Sequence, residues 1–121
     1  MNTALWAVNV VAAVGFVGTG CLKAFVPMAR LRAWRLDWTD DFPVSVVRLL
    51  GVTELLGAAG LILPLATGIA PVLAPIAAVG LAVQTSGAIS VHVRRREGFA
   101  PALVMLVLSI ASAVLGFVTL R

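Results

Sequence analysis

The chain has 121 residues, of which 61% are hydrophobic and 12% charged, and its mean hydropathy is +1.09. Soluble domains carry about 25% charged and about 45–50% apolar residues, so a water-soluble globule of this length is excluded and the solvent must be lipid. The net charge of +4 is not a nucleic-acid signature, because the basic residues fall in short loops without aromatic interleaving elsewhere. The single cysteine, Cys21, excludes an internal disulfide and a CxxC redox pair.

Four apolar segments follow one another, each near the roughly 20 residues that cross a hydrocarbon core. The first runs from about residue 4 to 22 and has no Lys or Arg before it, so it reads as an uncleaved span rather than a secretory leader. Loop one follows. In MARLRAWRLDW, Leu31, Trp34 and Trp38 share a helical face while Arg32 and Arg35 lie on another, which predicts an interfacial helix over 28–38. The second span covers 44–63. PLATGIAP turns the chain, with Pro71 suited to a helix start and Pro75 in or just beyond the first turn of the third span, 72–91. Loop three, HVRRREGFA, leads to the fourth span, 101–120. The continuous apolar runs lack the alternation of a barrel. The fold class expected is all-α, an integral membrane four-helix bundle in one domain.

Loops one and three lie on one side because two spans separate them. They hold Lys23, Arg30, Arg32, Arg35, Arg94, Arg95 and Arg96, against Arg121 alone on the other side. The positive-inside rule places them in the cytoplasm of a bacterial inner membrane, with both termini outside. Small residues recur at helix-packing spacing: Gly15 with Thr19, Ala74 with Ala78 and Ala82, Ser112 with Gly116, and Gly51, Gly57, Ala58 and Gly60 in the second span. Close backbone approach of this kind drives helix association in lipid, and a small bundle of this composition is expected to form a homodimer.

The second span is the anomaly, since it carries Arg48 and Glu54. A charge at the centre of a membrane helix costs about 2.5–3.5 kcal/mol on insertion scales. Glu54 lies ten residues in from Val44, roughly 15 Å at 1.5 Å per residue. Gln84 and Thr85 come to the same level from the third span, with Lys23, Arg48 and His92 one level nearer the loops. Arg48 and Glu54 are separated by about 240° around the helix axis, so they do not pair with each other. Glu54 is expected to pair with Lys23, and Arg48 to snorkel or to reach Asp40 or Asp41. His92, at a loop boundary, reads most simply as an interfacial residue. One His, one Cys and one deep carboxylate fall short of a metal-ligand set. Two readings of the polar residues stay open: a buried network that fixes helix register, and a polar pocket with Glu54 as acid, base or hydrogen-bond anchor.

GTGCLKAF (18–25), RLLGVTELLGAAGLILPLATGIAP (48–71) and APIAAVGLA (74–82) resemble the DoxX-like family of small four-span bacterial membrane proteins. The likeness covers nearly the whole chain and rests on Lys23, Arg48, Gly51 and Glu54. It implies a fold related to sterol isomerase-like and vitamin K epoxide reductase-like bundles. It also implies a place near quinone-coupled sulfur oxidation or membrane complexes that handle oxidative stress. The cysteine pair of the epoxide reductases is missing here, so thiol chemistry is not implied. No flavin, haem or metal motif is evident.

The function expected is binding of a lipophilic small molecule, quinone- or isoprenoid-like, around Glu54, with Lys23, Arg48, Gln84, Thr85 and His92 as ligand-binding residues and Glu54 as the proton shuttle if chemistry follows. Quinone is the one cofactor-like ligand considered. The alternatives are a proton-coupled small-molecule transporter and a non-catalytic subunit docked to another membrane protein. Small drug exporters share the four-span plan, but their glutamate sits in the first span.

Overall fold

The computed structural model describes residues 3–34 and 36–120, without the side chains of Asp37, Asp40 and Leu120. The expectations for Arg35, Asp40 and Arg121 therefore lie outside the described residues. The chain is an all-α membrane helical bundle. Four long helices, α1 (Thr3–Phe25), α3 (Val44–Thr67), α4 (Leu73–Arg94) and α5 (Ala100–Leu120), are long and apolar enough to cross a membrane. A short α2 (Met28–Ala33) and a 3₁₀ turn (Asp37–Asp41) lie between α1 and α3. The order around the bundle is α1, α3, α4, α5, with α1 against α3 and α4 against α5 the tightest pairs.

Small side chains set how close the helices come. The core is built from Ala12, Ala13, Phe16, Ala58, Leu61, Ala78, Leu81 and Ala113. Mostly alanine, it lets backbones approach and gain dispersion contact where no hydrophobic effect operates between helices and lipid. The closest approach is α1 against α3. A Cβ on Gly51 would stand 2.6 Å from the Gly20 carbonyl oxygen and 2.8 Å from the Lys23 carbonyl carbon, so only glycine fits there.

Helix ends differ from the sequence expectation where capping overrides the apolar boundary. The second span was expected to stop at Leu63, but α3 runs on through the buried Pro64 to Thr67. Proline removes one i→i−4 bond without ending a helix that neighbours support. The stop comes at Gly68, in the left-handed region at φ 71° with its N–H bonded to the Pro64 carbonyl at 3.0 Å, the usual glycine terminus. Pro71 lies before the N-cap Val72 rather than at the helix start, its carbonyl accepting from Ala74 N–H at 3.1 Å. Pro75 falls in the first turn of α4 and packs on α5, where a Cβ on Gly116 would meet its Cβ at 2.8 Å.

The interfacial helix expected over 28–38 is two pieces. α2 ends at Ala33, and the chain re-forms as a 3₁₀ turn in which Thr39 Oγ1 donates to the Leu36 carbonyl at 2.8 Å. Hydroxyl-to-backbone bonds of this kind compete with helix continuation. The break separates the tryptophans: Trp34 stays 53% exposed, while Trp38 turns inward to 9% and meets Phe42 edge-on at 6.1 Å. The two basic loops share one face of the bundle, joined by an ion pair from Arg95 Nη1 to Asp41 Oδ2 at 2.6 Å. The hydrogen bond to Asp41 holds the Arg95 guanidinium above its ordinary pKa.

Gly51→Val is expected to destabilise the bundle by about 1–3 kcal/mol, the usual range for overpacking, read as a lowered thermal midpoint in detergent. Gly18→Ala, where a Cβ meets nothing within 4 Å, is expected to leave the midpoint in place.

Candidate functional site

The α1–α3 crossing creates the polar centre. Thr19 and Lys23 are four residues apart and share one face of α1, and the Gly20–Gly51 contact brings that face against Glu54. Lys23 Nζ donates to Glu54 Oε1 at 2.6 Å, and Thr19 Oγ1 donates to Glu54 Oε2 at 3.0 Å. Both carboxylate oxygens thus have a partner, as a carboxylate held away from water requires. The Glu54 side chain is 6% exposed and that of Lys23 17%. Lys23 Nζ also lies 5.4 Å from the ring centroid of Trp38, within cation–π range.

Arg48 bonds to backbone and does not reach Asp41. Its Nη1 donates to the carbonyls of Lys23 at 3.0 Å and Val26 at 2.6 Å. Those oxygens are free because α1 is ending, and the residue four after Lys23 is Pro27, which has no N–H to offer. Arg48 is therefore a cationic cap on the C-terminus of α1, where the helix dipole favours positive charge. It braces the backbone of Lys23 and does not line the cavity described below.

Gln84 also has partners other than Glu54. It accepts from Thr53 Oγ1 at 2.9 Å and donates to the Leu50 carbonyl at 3.1 Å, clamping α4 to α3. Thr85, buried, donates to the Leu81 carbonyl of its own helix at 2.6 Å. His92 Nδ1 lies 2.8 Å from Glu97 Oε1. Of the six residues singled out from the sequence, Lys23 and Glu54 are in direct contact. Gln84, Thr85 and His92 lie on the same cavity wall, and Arg48 stands outside it.

That cavity occupies the loop-side half of the bundle and measures about 780 Å³. Glu54, Lys23 and Thr19 stand at its polar end. Phe16, Leu50, Val91 and Met105 are among its apolar walls, and Leu31, Trp38 and Thr39 from the segment between α1 and α3 roof it. Among the described residues, no three His, Cys, Asp or Glu side chains gather where a metal ion could be held. The polar end can donate hydrogen bonds from the ammonium, which keeps two protons beyond the one Glu54 takes, accept them on the carboxylate and on the Thr19 hydroxyl oxygen, and exchange a proton at Glu54.

A family model described as DoxX-like matches residues 7–114. The chain belongs to the DoxX-like family. No curated protein and no solved structure matches it significantly. The DoxX-like match takes in residues of all four long helices, including the Lys23–Glu54 pair, the Arg48 cap and the Gly51 contact.

Several polar residues escape a reading by depth alone. Thr19 looks like one more small packing residue in GTG, although its four-residue spacing from Lys23 places both on Glu54. The helical period of its segment places Trp38 at the headgroups, whereas it lines the cavity. Asn9 is a lone polar residue in an apolar run. It is fully buried at the opposite end of the bundle, where its Nδ2 donates to the Leu61 carbonyl at 2.8 Å and its Oδ1 accepts from Ser112 Oγ at 2.5 Å. It joins α1, α3 and α5.

Replacing Glu54 with Leu strands Lys23 and is expected to lower stability by about 3 kcal/mol, the low end for a broken buried pair, since Lys23 near its helix end can swing toward water. The double variant Lys23→Met/Glu54→Leu is expected to recover most of that loss, both read by reversible unfolding in mixed micelles.

Proposed function

We propose that this DoxX-like protein binds a lipophilic small molecule, quinone- or isoprenoid-like, in the loop-side cavity, with the ligand's polar end at Glu54, Lys23 and Thr19. The observation that carries the reading is a carboxylate bonded on both oxygens at the end of a cavity whose other walls are largely apolar. Small-molecule sites are mostly apolar concavities of about 300–1,000 Å³ with a few convergent polar groups, and this cavity falls within that range. An ionisable residue inside the membrane is costly to keep, which favours a role beyond packing.

In this reading Glu54 accepts a hydrogen bond from a ligand hydroxyl and can take that hydroxyl's proton, the Lys23 ammonium staying beside the anion left on the ligand oxygen. Thr19 fixes the carboxylate plane. Trp38 presents an aromatic wall beside the ammonium, suited to a flat ring. Gln84, Thr85 and His92 shape the wall, and Arg48 holds Lys23 in place by capping the helix end beneath it. The basic residues on the loop face, Arg30, Arg94, Arg95 and Arg96 among them, favour a cytoplasmic position for that face in the bacterial inner membrane.

Native mass spectrometry of the protein extracted in mild detergent from its own membrane tests the reading. Wild type is expected to retain a bound small molecule and Glu54→Gln to lose it. Glutamine keeps the side chain's size, an amide oxygen for Lys23 and a bond to Thr19, so although the ion pair is lost the thermal midpoint is expected to fall less than in Glu54→Leu and the variant to remain folded. A wild-type protein carrying nothing, or a Glu54→Gln variant with undiminished occupancy, overturns the proposal.

A further inference from the structure

α3 and α4 face each other with matched stripes. On α3 the stripe is Val46, Leu50, Thr53, Gly57 and Gly60; on α4, running the opposite way, it is Ala77, Leu81, Gln84, Ala88 and Val91. Both follow the alternating three-and-four spacing of one helical face. Toward the end distant from the loops the stripes close tightly. A Cβ on Gly60 would lie 2.8 Å from Ala77 Cβ, and one on Gly57 would lie 2.5 Å from Leu81 Cδ2. In the middle, Gln84 bonds to Thr53 and to the Leu50 carbonyl. Beyond that clamp the stripes no longer close. Val46, Leu50, Ala88 and Val91 line the cavity instead.

Two neighbours show where the gap leads. Gly87 and Val83 also line the cavity, yet Val83 is 69% exposed and a Cβ on Gly87 would meet nothing within 4 Å. The cavity therefore reaches the outer surface of the bundle within the membrane-crossing part of α3 and α4. Beyond Gln84 and Thr85 the walls there are apolar, and from Gln84 to Val91 the opening runs for about 10 Å of helix rise. At its loop end stands the Arg95–Asp41 ion pair.

We propose that this gap is a side slot into the bilayer, and that the ligand is a single-chain amphiphile whose apolar tail lies in the slot while its polar head reaches Glu54 and Lys23. The inference rests on the reading of the cavity as a ligand site and adds the ligand's shape and its route. A molecule dissolved in the membrane presents its chain edge-on to such a slot and never crosses the loop face. The slot is apolar where the tail lies and the cavity polar where the head stops, so a headless hydrocarbon and a two-chain lipid each match only part of it. Gly87 borders the slot without a side chain, and the Gln84 clamp sets its inner limit.

The test uses the whole protein in phospholipid nanodiscs with Trp6→Phe and Trp34→Phe, leaving Trp38 on the cavity wall as the sole emitter. The probe is a decyl-substituted benzoquinone, whose binding is read as quenching of Trp38. The parent is expected to show saturable quenching. Gly87→Phe and, independently, Val46→Phe are each expected to weaken it several-fold, and Val14→Phe on the lipid face of α1 to leave it unchanged. Thermal midpoints confirm that each variant is folded. If both slot variants titrate like the parent while Glu54→Gln weakens quenching, the ligand site stands and the slot is wrong. If Glu54→Gln also titrates like the parent, the ligand-site reading itself falls. Two further outcomes overturn the slot: quenching of Trp38 by brominated phospholipid chains that the quinone cannot displace, and near-complete disulfide pairing of Val83→Cys with a second copy of the chain.

Discussion

The carboxylate of Glu54 lies in a bundle made mostly of alanine, valine, leucine and glycine, and the structure is arranged to satisfy it. Its two oxygens take bonds from Lys23 and Thr19, which requires the face of α1 bearing those residues to reach α3. That approach is possible because Gly20 and Gly51 leave no side chains between the backbones. Lys23 sits near the end of α1, where a helix frays unless its last carbonyls are bonded. Arg48, about one and two-thirds turns before Glu54 on α3, supplies those bonds. The two charges of α3 thus serve one end: Glu54 binds the side chain of Lys23, and Arg48 binds its backbone.

Much of this was legible in the sequence, and what was missed follows from the kind of information used. Apolar run length gives the number of helices. Counting residues at 1.5 Å each gives depth, enough to set Glu54 against Lys23. The angular separation of Arg48 and Glu54 rightly excludes a bond between them. Depth does not give azimuth between helices, however. Gln84 and Glu54 stand at similar levels, yet Gln84 meets the neighbouring Thr53, turned about 100° away on the same helix. For Arg48 the sequence offers the headgroups or the acidic side chains of Asp40 and Asp41, whereas its partners are carbonyls freed by a helix end and by Pro27. Backbone acceptors carry no mark in a sequence unless the helix terminus is already known.

The segment between α1 and α3 shows a different limit. Its apolar residues follow a helical period, and the periodicity alone predicts one amphipathic helix. Local hydrogen bonding decides otherwise, because Thr39 and its neighbours close a 3₁₀ turn that rotates Trp38 from the membrane border into the roof of the cavity. A tryptophan expected at the headgroups becomes part of the wall beside Lys23, and the Arg95–Asp41 bond ties that segment to the other loop.

The two halves of the bundle divide the requirements of stability and access. Away from the loops, Ala12, Ala58 and Ala78 pack closely, Gly57 and Gly60 receive α4, and Asn9 joins three helices through bonds to Ser112 and the Leu61 carbonyl. Interhelical hydrogen bonds in membranes contribute about 0.6 kcal/mol each on average, so this network chiefly fixes the relative rotation of helices already held by close contact. Toward the loops α1 and α3 stay in contact at Gly20 and Gly51, whereas α3 and α4 part, and polar side chains line part of the space that opens. A small four-helix bundle has no domain interface in which to place a cavity. It can hold one only if part of its contact surface suffices for cohesion, and the small residues at the far end, with the Gly20–Gly51 contact between α1 and α3, make that possible.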